Sequence, residues 1–121
     1  MSDINDLTQR IINFRDDRNW KQFHNPKDVS LALVLEAVEV MEHFRFKNLS
    51  QVKTYIKQNK EAISEELADV LYFVLLMSHD LGIDIRKALE RKMDINDKKY
   101  SLEKAKSWAQ KGIFKKYTEL S

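Results

Sequence analysis

"LALVLEAVEVMEHF", residues 31–44, holds ten apolar side chains and three glutamates. Leu31, Ala32, Leu33, Val34, Leu35, Ala37, Val38, Val40 and Met41 leave no ordinary polar face on a helical wheel. A helix that is apolar nearly all round is one buried inside something larger than its own hairpin. Glu36 and Glu39 are the exception. They stand three residues apart, which puts both carboxylates on one helical face, about 5–6 Å apart at Cβ.

The stretch "SEELADVLYFVLLMSHDLG", residues 64–82, repeats the arrangement. Glu66 and Asp69 stand in the same i, i+3 relation ahead of an apolar run from Val70 to Met77. If the two helices pack side by side, four carboxylates converge. An unpaired carboxylate in such a place costs several kcal/mol, and neither 31–44 nor 65–79 contains a lysine or arginine. A divalent cation is the remaining compensation. An all-oxygen donor set suits Mg²⁺, with Mn²⁺ as a substitute. A di-iron bundle would want Glu-x-x-His pairs, but His24, His43 and His79 follow Lys21, Val40 and Leu76 at that spacing. Carboxylate-held Mg²⁺ commonly takes its other ligands from phosphates, so the chemistry suggested is metal-assisted phosphoanhydride hydrolysis. Glu42 and Glu65 read as ordinary surface residues.

Outward from these two segments, the chain reads as helices throughout. Ile4, Leu7, Ile11 and Phe14 recur at helical spacing over residues 3–18. "NWKQFHNPKD", 19–28, is aromatic and turn-like, and Pro26 argues against a helix through it. Asp28 or Ser30 is expected to cap the next helix, which extends to about Phe46. A charged connection with a short helix from about Ser50 follows. Ser64 is the expected cap of the helix that ends near Gly82. A fourth helix starts at Asp84, and the basic tail 101–121 is helical in part. The expected fold is all-α, a bundle of four to five helices in one domain spanning 1–121, with its core at 7–100. Two helices apolar on both sides in so short a chain predict a homo-oligomer.

Composition narrows the function. With two glycines and one proline in 121 residues, the chain can build neither a P-loop nor a GxGxxG turn. Twenty-one basic and nineteen acidic residues are too balanced to predict a nucleic-acid partner. The absence of cysteine excludes disulfides and thiolate chemistry. "MSDINDLTQR" is no signal peptide, and "VLYFVLLM" is too short to span a membrane. A soluble cytoplasmic protein is expected.

"LALVLEAVEVMEHFRF", "ISEELADVLYFVLLM" and "KMDINDKKY" together resemble the MazG-like superfamily of all-α nucleoside triphosphate pyrophosphohydrolases, whose signature is ExxE followed by ExxD. The upstream "FRDDRNWKQFHNPKDVSLAL" is similar to the dCTP-hydrolysing branch of that superfamily, and the likeness covers about residues 7–100. It implies a homotetramer that hydrolyses dCTP, or a related or modified pyrimidine triphosphate, to the monophosphate and pyrophosphate with Mg²⁺. Carried over residue by residue, it implies Glu36, Glu39, Glu66 and Asp69 as metal ligands, with Glu36 and Glu39 catalytic. Lys92, Asn96 and Tyr100 match a Lys-x-x-x-Asn-x-x-x-Tyr pattern that binds phosphate. Trp20, His24, Phe46 and Phe73 match the nucleoside end, where the branch carries Trp and Tyr at the last two positions. The alternatives are a broad-specificity or dUTP-directed hydrolase, or a non-catalytic helical assembly that holds a cation.

Overall fold

The computed structural model describes residues 3–110, and among them every regular element is helical. The chain divides between Asp84 and Ile85 into two compact units.

The first unit contains α1 (Ile4–Asp17), a short 3-10 turn (Lys21–Phe23), α2 (Pro26–Glu42) and α3 (Leu49–Asp80). Asp3 caps α1 by accepting from the Asp6 backbone N–H, and Asp6 returns the contact to Asp3. The helix stops in a Schellman turn: Trp20 N–H donates to Arg15 O at 3.1 Å and Asn19 N–H to Asp16 O at 3.0 Å. Asn19 takes the left-handed conformation this turn needs, at φ 57°. The reversal folds Trp20 back onto Phe14, edge-on with ring centroids 5.5 Å apart.

Asn25 caps α2, its side chain accepting from the Asp28 N–H at 2.9 Å. Pro26 occupies the first helical position, where its missing N–H costs nothing. The helix therefore begins at the proline, ahead of the expected Asp28 or Ser30 cap. It ends at Glu42, short of Phe46, and residues 43–46 form a turn. There Glu42 pairs with Arg45 at 2.9 Å on the surface.

The connection and third helix expected from sequence are one element. α3 begins at an Asn48–Gln51 capping box and continues through Ser64, which caps nothing. Its one break is Asn59, with non-helical φ −129° and ψ 21°. The Asn59 side chain donates to Tyr55 O at 3.0 Å, the carbonyl its own N–H would bond in a regular helix. At the far end Gly82, at φ 68°, closes α3 in a second Schellman turn, with Ile83 N–H on Ser78 O at 2.8 Å.

α3 packs along α2 and α1. Among the described residues Ile12, Val29, Leu75 and Leu76 are the buried apolar ones, and Arg15 is buried too, at 2% exposure. Its Nη1 donates to both oxygens of Asp80, at 2.9 and 2.7 Å, tying α1 to the end of α3. The segment 31–44 is not buried all round within one chain: Leu31, Val34 and Leu35 are each more than half exposed.

The second unit contains α4 (Ile85–Lys99) and α5 (Leu102–Gln110). Tyr100 packs edge-on against Trp108, with centroids 5.6 Å apart. The tail is thus helical in its first part, and 111–121 lie outside the described residues.

Candidate functional site

Glu36 and Glu39 on α2 meet Glu66 on α3, one carboxylate oxygen of each lying within 4.8 Å of the others. α3 reaches this place because it runs past Ser64 without a break, which holds Glu66 and Asp69 in one helical register beside α2. Glu36 and Glu66 are half-buried, and Oε2 of each is shielded from solvent without a hydrogen-bond partner. Asp69 stands outside the triple but close enough for its charge to raise the pKa of both Glu36 and Glu66.

Electrostatics report the crowding. The Glu66 carboxyl is pushed up to about 7, first by its side-chain hydrogen bond with Glu39, then by burial, then by the charges of Glu39, Asp69 and Glu36. Glu36 is raised by burial foremost, followed by the charge and hydrogen bond of Glu39 and the charge of Asp69. Carboxyls whose proton affinity is raised by burial and by one another, with shielded oxygens left unpartnered, fit a hard divalent cation. No basic side chain forms an ion pair with them among the described residues.

Glu36 and Asp69 also line a cavity of about 650 Å³. Trp20, His24, Tyr72 and Phe73 contribute to its wall, as do Leu7, Arg10, Ile11 and Phe14 from one face of α1. The aromatic groups interlock edge to face, Phe14 with Tyr72 at 6.5 Å and Tyr72 with Phe73 at 5.0 Å. Nδ1 of His24 is shielded and without a partner. Burial raises the Tyr72 hydroxyl, against the lowering influence of Arg15 and Arg18. Stacking surfaces with a few polar groups, opening beside a carboxylate cluster, suit a flat ring carrying an anionic chain.

The structure thus brings Trp20, His24, Phe73, Glu36 and Asp69 to one cavity. Phe46 is elsewhere. It sits in the α2–α3 turn, 93% exposed, in the left-handed conformation at φ 64°, with the Arg45 guanidinium 4.9 Å from its ring centroid. Lys92 and Asn96 lie on α4 and Tyr100 just beyond it, its N–H bonded to Asn96 O at 2.7 Å. Sequence reasoning missed the α1 wall and Tyr72. The spacing of Leu7, Ile11 and Phe14 was visible, but periodicity alone does not distinguish a core face from a cavity wall.

The sequence profile of the MazG-like family matches residues 31–120. The chain belongs to the MazG-like family. This MazG-like chain is 33% identical to human (Homo sapiens) dCTP pyrophosphatase 1 over 119 residues, covering 97% of itself and 67% of that protein. Identity to the rat (Rattus norvegicus) dCTP pyrophosphatase 1 is also 33% over the same coverage. Among solved structures it is similar to a pyrophosphatase from Archaeoglobus fulgidus, with a TM-score of 0.78 and 28% identity over 84% of this chain and 94% of that one.

Proposed function

We propose that this chain is a nucleoside triphosphate pyrophosphohydrolase, which converts dCTP or a related or modified pyrimidine triphosphate to the monophosphate and pyrophosphate. The observation that carries the reading is the meeting of Glu36, Glu39 and Glu66 within 4.8 Å, beside a cavity walled by aromatic rings. Membership of the MazG-like family and likeness to dCTP pyrophosphatase 1 support it.

Glu36, Glu39, Glu66 and Asp69 would hold Mg²⁺ or Mn²⁺. A bound Mg²⁺ supplies positive charge to the phosphates and Lewis-acid activation. Trp20 and Phe73 hold the base by stacking, and His24 hydrogen-bonds it. A water oxygen attacks the α-phosphorus, the bond to the α,β-bridging oxygen breaks, and pyrophosphate leaves with that electron pair. Glu36 or Glu39 takes the proton from the attacking water. Lys92, Asn96 and Tyr100 bind phosphate oxygens in this reading, a role that rests on the family pattern.

The protein acts as one domain within a homo-oligomer, a tetramer by family likeness. Leu31, Val34, Val38 and Met41 recur along one exposed face of α2, and Leu67 and Leu71 are exposed on α3. A second copy is the covering such an apolar surface calls for. Phe46 does not line the cavity of its own chain, and its exposure suits the cavity of a neighbouring copy.

A panel of triphosphates incubated with Mg²⁺, with products separated, tests the function. Monophosphate plus pyrophosphate is expected, greatest for pyrimidine substrates. Diphosphate plus phosphate, or no turnover across the panel, would sink the reading.

A further inference from the structure

The turns around α1 carry three guanidinium groups, and two are spent. Arg15 is buried on Asp80, and its Nε lies 3.4 Å from Asp16. Arg18 places its guanidinium carbon 3.8 Å from the Phe14 ring centroid and donates from Nη1 to Phe14 O at 3.0 Å. Arg10 forms no hydrogen bond or ion pair among the described residues, and it lines the cavity that holds Glu36 and Asp69. It stands four residues before Phe14 on the same helical face, one turn from the ring that packs on Trp20 and Tyr72. Five donors and no acceptor are therefore available to a group bound in this cavity.

We propose that Arg10 sets the base preference by donating in parallel to the adjacent acceptors N3 and O2 of cytosine. The inference rests on reading this cavity as the nucleoside pocket. A guanidinium fork matches two neighbouring acceptors in one plane, as it matches a carboxylate. Uracil and thymine carry N3–H at that position, so a donor there meets a donor and the paired contact is lost. The aromatic wall grips any pyrimidine ring, whereas the fork separates cytosine from the others.

The test measures kcat/KM for dCTP and dUTP in the wild-type protein, Arg10→Leu and Arg10→Lys, and the affinities of dCMP and dUMP by calorimetry. In Arg10→Leu the dCTP:dUTP ratio falls roughly 10- to 100-fold, the range expected for losing one bidentate base contact. Arg10→Lys keeps the charge but not the fork, and its ratio stays low. A ratio unchanged in Arg10→Leu overturns the proposal, as does an equal loss for both substrates, which would mark a phosphate contact. If the wild-type protein hydrolyses no triphosphate, the functional reading fails by itself. The dCMP:dUMP affinity ratio then decides Arg10: a fall in Arg10→Leu supports the proposal and an unchanged ratio overturns it.

Discussion

The Glu66 carboxyl on α3 shares a hydrogen bond with that of Glu39 on α2, and this contact is the largest reason Glu66 holds its proton up to about 7. Carboxylates crowded together from two helices, with no basic side chain ion-paired to them among the described residues, are an arrangement that a divalent cation would relieve. Each ligand must lose its proton to bind the ion, so binding strengthens as pH rises.

That shift gives the metal-free protein a definite pH dependence. The ordinary value of 4.5 for Glu66 is raised to about 7 in the fold. Between those values the native chain keeps a proton the unfolded chain has released, so stability falls as pH climbs through this window. Below about 4.5 the penalty is absent, and above about 7 it is complete. Glu36 shifts in the same direction. Thermal melts in EDTA from pH 4.5 to 8 should show wild type losing stability relative to Glu66→Gln, and Mg²⁺ should restore it at pH 8. Parallel wild-type and Glu66→Gln curves would refute the coupling.

Glu39→Gln removes one charge from the triple while keeping its shape. Mg²⁺-dependent pyrophosphate release should drop by about 100-fold or more, the scale on which lost electrostatic contacts act in a transition state. The circular dichroism spectrum should be unaltered, because Glu39 is exposed and caps no helix. Normal turnover in this variant would remove the cluster from the mechanism.

How much of this was legible in the sequence depends on the kind of signal. The i, i+3 carboxylates and Gly82 were readable because helix geometry fixes what such spacings do. The start of α2 was not, because a proline reads equally as a breaker and as a first helical residue, and Pro26 is the latter, behind Asn25. The union of 49–63 with 64–80 has no clear periodic signal, because its charged first half is held by Asn48, Gln51 and the Asn59 side chain. Neither the α1 wall nor the left-handed Phe46 has a local signature. Both follow from where the chain turns, at Asn19 and after Glu42.

Arg15 is 2% exposed and relies on Asp80, whose side chain is 26% exposed. Asp80→Ala leaves a buried guanidinium without its carboxylate, at a cost of about 3 kcal/mol. Replacing both partners, as Arg15→Met with Asp80→Leu, should recover most of that loss. Urea unfolding of the wild type and the two variants checks it, and a double variant less stable than Asp80→Ala would contradict the account.

The exposed stripe on α2 predicts an assembly state. Leu31 and Met41 mark its two ends, at 58% and 49% exposure, and neither is a member of the carboxylate cluster. The double variant Leu31→Lys, Met41→Lys should run as a smaller species than wild type in size-exclusion chromatography with light scattering. An unchanged mass would place the subunit contact elsewhere.

Phe46 joins two costs in one residue. A non-glycine aromatic in the left-handed region is strained by about 1 kcal/mol, and 93% exposure returns almost nothing from its own chain. Asparagine tolerates that backbone better. Phe46→Asn should therefore leave the melting temperature of the fold unchanged or slightly raised. If the ring closes over the nucleoside in a neighbouring copy, the variant should also raise KM for triphosphates about tenfold, with kcat nearly constant, the pattern of a contact made equally in ground and transition states. Steady-state kinetics beside a thermal melt separates the two effects. A lower melting temperature with normal KM would make Phe46 a structural contact of the assembly instead.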